Sequence, residues 1–509
     1  MSSSRTSTIA KNTLMLYVRM AFTVLISLYT SRIVLEALGV DDYGISNVVG
    51  GVIGFFGFII YSMQTAIQRF LTVAMGENDI LKVQHVFSIG LFIHVCFALL
   101  VILFGETIGL WFVINKLVIP DGRLDAAVWI YHFCVAGCVV SLLSIPYTAE
   151  VVAHEKMGTF AYLSILNVVI NLGIAYLLLI TPLDRLVMYG FLGLCANVFN
   201  QILYVIYCKR KFSECKFTMS FPRQLFKEML SFAGWDFFGV VAFCVSTQGA
   251  TIMLNMYFGT AVNAARAIAQ TALDKIKSFS NNFTIALNPA ISKAYGAGDY
   301  VYMEKIMFSG SKMIFFLFFT LALPVFVKTP YLLRLWLGVV PDYTVSFVRI
   351  LLFQTVFLSM WNPLFTAGLA TGKIKAFGLK TSICNILKMP VCLLCLILGA
   401  NPVTFIIVYT SLETLSYSIQ LFTLKKLVGF DLIAYFRNVQ GRGLLIMSIA
   451  YPLIYYLSDF FEDDFLNFVL FSLSSAFLST FLCYYIILND VEKMLIKSKS
   501  LTIIGKIKN

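Results

Sequence analysis

The chain has 509 residues, a formal net charge of +12, 59% hydrophobic residues and only 13% charged ones. Water-soluble domains hold about 25% charged residues, so a soluble catalytic domain is excluded. The composition implies an all-α protein that crosses a membrane many times.

A polar leader, MSSSRTSTIAKNT, precedes a first span at about 13–38 that carries Arg19 and Arg32. The span is too long and too charged for a cleaved signal sequence and is expected to be retained. Hydrophobic runs predict further spans at 44–68, 84–104, 127–149, 159–180 and 186–207, giving a six-helix lobe over 1–208. A connector at 209–227 carries Lys209, Arg210, Lys211, Lys216, Arg223 and Lys227. A second six-helix lobe over 228–440 has spans at 228–256, 262–290, 306–328, 345–370, 376–398 and 402–424. Two additional helices over 441–488 and a basic tail at 489–509 follow. Pro146 and Pro363 make the spans 127–149 and 345–370 the least regular.

These fourteen spans divide the basic residues unevenly. Counting Lys328, Lys380 and Arg442 near span ends, the side that holds both termini carries 25 Lys and Arg, and the other carries 5: Lys116, Arg123, Arg185, Lys328 and Arg334. The positive-inside rule therefore places both termini in the cytoplasm. The positive charge is a topology signal with weak attraction to anionic membrane lipids, and no nucleic-acid partner is expected. The 11 cysteines are scattered, and Cys392 and Cys395 lie inside a hydrophobic run, where small buried residues are expected. His85, His94, His132 and His154 show no ligand spacing, so neither a metal site nor a cofactor is expected.

Shifting the chain by 220 residues lays Gly39 over Gly259, Ala74 over Ala294 and Asp79 over Asp299. The first three spans then fall on spans seven to nine. An even number of helices separates the copies, so they share one orientation and form parallel repeats, an arrangement that places a substrate path at their interface.

The stretch 263–288 is mostly apolar, yet Asn263, Arg266, Gln270, Lys277, Asn281, Thr284 and Asn288 recur at gaps of 3, 4, 7, 4, 3 and 4. That is helical spacing, and all seven fall on one face. A charge at the bilayer centre costs roughly 2.5–3.5 kcal/mol even on lenient scales, so this face is expected to line a wet cavity. The shift carries it onto Tyr43, Ser46, Gly50, Gly57, Tyr61, Gln64 and Gln68, all polar or small. Cations outnumber acids within the spans, which points to an anionic ligand, and guanidinium groups suit phosphate. Arg19 and Arg32 lie about 140° apart around an ideal helix, so both cannot face one narrow cleft, and which one does is open.

The run KNTLMLYVRM…LISLYTSRIVLEALGVDDYGISNVVGGV…AIQRFLTVAMG resembles the N-terminal signature of Wzx-type polysaccharide flippases. These belong to the multidrug/oligosaccharidyl-lipid/polysaccharide exporter superfamily. The resemblance is strongest over about residues 10–90 and extends as architecture along the chain. It implies a transporter of the bacterial inner membrane, not an enzyme. Such a protein flips undecaprenyl-diphosphate-linked oligosaccharide to the periplasmic leaflet by alternating access, in O-antigen or lipopolysaccharide-type polysaccharide biosynthesis. Glycosyltransferases and a polymerase would be its partners, and proton or sodium coupling its energy source. On this reading Arg19, Arg32, Arg266 and Lys277, with Gln270, Asn281, Gln64 and Gln68, bind substrate, and Asp236 couples an ion. The alternative is a cation-coupled multidrug exporter of the same superfamily. Those exporters rely on acids in the first and seventh spans; here the first span has two arginines and no central acid.

Overall fold

In a computed structural model, the described residues are 2–57, 64, 67–68, 70–71, 74–75, 77, 79–154, 156–219, 222–371, 374–490 and 492–494. Side chains are described for fewer: those of 2–19, 21, 232–240, 374–378 and several between 279 and 296 are left aside.

Every expected span is mostly helical where it is described. In chain order the helices are α1 (Ser2–Gly54), α2 (Ile80–Lys116), α3 (Leu124–Ala153), α4 (Met157–Ile180), α5 (Arg185–Lys211), α6 (Arg223–Phe258), α7 (Thr260–Gly296) and α8 (Tyr300–Val327). There follow α9 (Thr329–Leu337), α10 (Thr344–Ser359), α11 (Asn362–Ala370), α12 (Ile374–Ile397), α13 (Pro402–Val428), α14 (Leu432–Tyr435), α15 (Gly441–Ser458) and α16 (Phe465–Leu482). Among the described residues, 8 helices are long and apolar enough to cross a membrane, or 9 with the bent pair α10–α11.

Three boundaries differ from the hydropathy reading, each for a local reason. The first two spans are one helix, α1, interrupted at Gly39 (φ 77°, ψ 174°). The third span does not stop near 104 but passes through a π-turn at Gly105–Gly109 and ends at Lys116. The Gly105 carbonyl accepts the Leu110 N–H that closes this wider turn and also the Tyr131 hydroxyl, at 2.5 Å. Pro146 does not break α3, whereas the 345–370 span breaks after Ser359 and bends by 50° just before Pro363.

The 220-residue register has structural counterparts. Gly39 and Gly259 both have positive φ (77° and 80°), and each ends one helix and starts the next. Glycine adopts this conformation without the steric cost that a Cβ would bring. Asp79 and Asp299 cap α2 and α8 by accepting the backbone N–H of Lys82 and Tyr302. Their own N–H groups donate to Ala74 and Ala294, again 220 apart.

The chain divides into two compact units, one of Met1–Ala267, Trp336–Asp342 and Ser382–Pro402, the other of Ile268–Leu335, Tyr343–Thr381 and Val403–Asn509. In the first, α3 packs against α2 and α5, and α1 against α4. Ile45, Val48 and Val49 of α1 join Val86 and Ile89 of α2 and Tyr131 of α3 in its core. Small residues permit the closest approaches, as expected where van der Waals packing drives helix association. A Cβ at Gly44 would collide with the Thr260 backbone, while the Thr260 hydroxyl donates to Asp41 at 2.9 Å. In the second unit, α8 is the central helix and packs on α10, α11, α15 and α16.

Candidate functional site: buried cations and two cavities

The α7 stripe does not behave as a uniform wet face. Asn263 is buried, and neither amide atom of its side chain has a hydrogen-bond partner. Arg266 is half-buried and reaches back to α6, donating to the Thr251 hydroxyl and to the Thr247 carbonyl (3.1 Å). Gln270 is exposed and donates to Asp274 at 2.9 Å, one turn away. Lys277 is half-buried. Further along, Asn288 accepts the Thr366 hydroxyl at 2.8 Å, so that end of the stripe serves helix packing.

Arg266 has a cationic neighbour on α12. Both it and Lys388, which is only 4% exposed, lie within electrostatic reach of the buried Cys392. Two cations in one buried neighbourhood of the first unit are what an anionic group needs to be held away from water. The other sequence-derived positions are spread out. Arg32 is half-buried on α1, Gln64 is exposed and Gln68 half-buried. The side chains of Arg19, Asp236 and Asn281 lie outside those described.

A cavity of about 500 Å³ lies inside the first unit. Tyr43, Ser46, Gly50 and Gly57, four of the seven positions that the repeat pairs with the α7 stripe, line it. Ser141, Asn171 and Asn197 add polar groups from α3, α4 and α5. Its lining mixes these polar groups with apolar ones such as Ile53, Ile130, Phe133 and Ile174, and carries no charged side chain. The second unit has a cavity of about 610 Å³ walled by Phe326, Phe353 and Phe357, with Arg349, Gln354 and Thr410 as polar groups. Arg349 donates to the carbonyls of Phe326 (3.0 Å) and Val327 (3.1 Å). Gln354 spans the Thr410 carbonyl and the Glu413 carboxylate, at 3.0 and 2.9 Å.

Ion pairs fasten the helix ends within each unit. Arg123 reaches Asp42 and Asp184, both at 2.5 Å. The Arg123 hydrogen bond holds the Asp184 carboxyl below its ordinary value against the opposing effect of burial, and Asp184 in return raises Arg123. Asp463 joins Lys328 (3.1 Å) and Arg334 (2.8 Å). Lys312 is 5% exposed and paired with Glu492 at 2.9 Å.

One cluster escaped the sequence reading. Glu150 and His154 sit one helical turn apart at the end of α3, and Glu214 follows α5. Their ligand atoms all lie within 4.8 Å of one another. The spacing of a glutamate and a histidine four residues apart was the available signal; the third member comes from a connector that periodicity does not place.

No known sequence family and no curated protein matches the chain. Solved structures do match. The lipid II flippase MurJ in an inward closed conformation superposes with a TM-score of 0.70 at 13% identity, over 92% of this chain and 98% of that one. An inward-facing multidrug resistance MATE family transporter of the MOP superfamily gives 0.61 at 13% identity, over 81% and 98%. A MOP superfamily transporter from Pyrococcus furiosus, described as having a binding pocket of reverse polarity, gives 0.57 at 13% identity, over 82% and 96%. This chain therefore has the fold of these multi-pass transporters.

Proposed function

We propose that the protein is a membrane transporter, not an enzyme, that flips an undecaprenyl-diphosphate-linked oligosaccharide from the cytoplasmic to the periplasmic leaflet of a bacterial inner membrane. The observation that carries this reading is the placement of half-buried Arg266 and buried Lys388 within electrostatic reach of Cys392 in the first unit. A diphosphate headgroup is anionic and polar and needs such a setting, while its lipid tail stays in the bilayer. The fold shared with a lipid II flippase supports the same reading. Lys277, Gln270, Asn281, Gln64, Gln68 and one of Arg19 and Arg32 are the further positions proposed to meet the headgroup as access alternates through a cationic central cavity.

Asp236 is the proposed proton or sodium site, and both termini are proposed to be cytoplasmic because the basic residues divide 25 to 5. The test is reconstitution into vesicles with fluorescent lipid-linked oligosaccharide, with and without ion gradients. Headgroup flipping without chemical change supports the proposal. Efflux of cationic drugs with no effect on the labelled lipid would favour the exporter reading, to which the fold shared with MATE transporters also lends itself. Asp236→Asn is expected to abolish gradient-driven flipping and to leave substrate binding intact.

A further inference from the structure

Glu150 is the most unusual side chain among those described. It is an acid with no exposed surface, and neither carboxylate oxygen has a hydrogen-bond partner. A buried carboxylate without partners is costly, and native structures rarely leave one so. Its surroundings identify what it lacks. The Nε2 of His154 lies 3.6 Å from one Glu150 oxygen, longer than a hydrogen bond, and 2.7 Å from a Glu214 oxygen. One imidazole nitrogen is thus shared by two carboxylates, and no Lys or Arg forms an ion pair with either acid among the described residues.

The scaffold holds these groups firmly. Glu150 and His154 share the last turn of α3, with the His154 N–H donating to the Glu150 carbonyl. The His154 ring stacks on Phe212 with centroids 4.0 Å apart and planes at 4°. Ser213 donates to the second oxygen of Glu214 at 3.2 Å, leaving the first directed at His154.

We propose that Glu150, His154 and Glu214 form a divalent metal site that takes Zn²⁺ through one imidazole nitrogen and two carboxylate oxygens. Zinc binds such donors at about 2.0–2.2 Å, often with three protein ligands and a fourth position open to water. Ligand atoms already within 4.8 Å of one another need only a small inward shift to reach that geometry. Calcium and magnesium prefer more oxygen ligands and no imidazole. The metal would supply the positive charge that the cluster lacks. It would also pin the start of the connector at 212–219 to the end of α3.

Two thiols stand nearby, but the proposed ligand set leaves them out. Cys208 donates to the Tyr147 carbonyl at 3.4 Å. The Cys215 sulfur is not among the ligand atoms that lie within 4.8 Å of one another.

The test uses the full chain, purified in detergent, stripped with a chelator and dialysed against Zn²⁺ or Co²⁺. The expected result is one tightly held ion per chain, with a Co²⁺ visible spectrum of low-coordinate oxygen and nitrogen ligation. Glu150→Gln, His154→Ala and Glu214→Gln should each abolish stoichiometric retention. Glu214 lies in the connector outside the helices, so its replacement leaves helix packing intact and keeps the test informative should a helix variant fail to fold. Glu106→Gln, which removes a half-exposed two-residue pair with His132, should retain the ion. A metal-free wild-type chain, or equal retention by Glu214→Gln, would overturn the site. A thiolate-to-cobalt charge-transfer band would overturn the ligand set.

Discussion

Lys312 and Glu150 are both buried charges on membrane helices, and each meets an acid from a segment beyond its own helix, yet only one of the two clusters is balanced. Lys312 on α8 pairs with Glu492, which also accepts the Ser309 hydroxyl at 2.7 Å and the Asn489 N–H at 2.9 Å. Burial raises the Glu492 carboxyl, but these contacts outweigh it and hold the group below its ordinary value. Every charge there has its opposite. Glu150 instead meets a second acid and one imidazole, and its oxygens are left unsatisfied. The contrast teaches that burial alone does not distinguish a structural charge from a functional one. The local sum of charges and hydrogen bonds does, because a deficit must be made up by something the chain itself does not supply.

The largest expected effect comes from breaking the balanced cluster. Glu492→Gln leaves the Lys312 ammonium buried beside a neutral partner and should destabilise the second unit by about 3–5 kcal/mol. Thermal unfolding in detergent, followed by tryptophan fluorescence, reads this directly. The double variant Lys312→Met/Glu492→Leu should recover most of the loss, since an apolar pair of similar volume replaces a desolvated ion pair. Failure to recover would mean that Lys312 serves something other than Glu492.

Arg266 is an intermediate case, a half-buried cation tethered in part through uncharged acceptors on α6. If its charge serves a diphosphate, Arg266→Ala should lower headgroup affinity roughly ten- to hundredfold, the equivalent of about 1.5–3 kcal/mol for a charged hydrogen bond. Lys388→Ala should act in the same direction, and neither change should alter membrane insertion. Flipping at the wild-type rate in both variants would assign the pair to helix packing.

The unbalanced cluster predicts a smaller effect of opposite sign. In metal-free protein Glu150→Met removes an unsatisfied buried carboxylate and should raise stability by about 1–3 kcal/mol. Added Zn²⁺ should then stabilise the wild type and not the variant, because only a folded chain with an intact site gains from binding. Destabilisation in the absence of metal would show that Glu150 already has a partner.

Most of the fold was legible from hydropathy, because a bilayer leaves few alternatives to apolar helices. The repeat was legible through Gly39 and Gly259, whose positive φ few other residues tolerate, and through the capping acids Asp79 and Asp299. The site was legible only in part. Helical periodicity placed Arg266 and Lys277 on one face, but it does not report that Arg266 turns back to α6 or that Gln270 is occupied by Asp274. The neighbours of Lys388 and Glu214 are invisible to it for the same reason. Each acquires its neighbours through contacts between segments far apart in the chain, and periodicity within one helix carries no information about those.

The smallest expected effect belongs to a balanced cluster that is partly exposed. Asp184 caps α5 and pairs with Arg123, which holds its carboxyl below the ordinary aspartate value of about 3.9. A depressed folded-state value means that the unfolded chain takes up the proton first as the pH falls. The stabilisation is therefore fully present above the ordinary value and is lost as the pH drops through the lower folded value. With side chains 29% and 36% exposed, solvent screening limits the pair to about 1 kcal/mol or less. Unfolding temperatures of the wild type and Asp184→Asn should therefore differ slightly at neutral pH and converge in acid. Asn can still accept the Leu186 and Val187 N–H groups that Asp184 binds at 3.0 and 3.1 Å, so the cap is kept in the variant and a gap that persists well below the ordinary aspartate value would overturn the assignment to the ion pair.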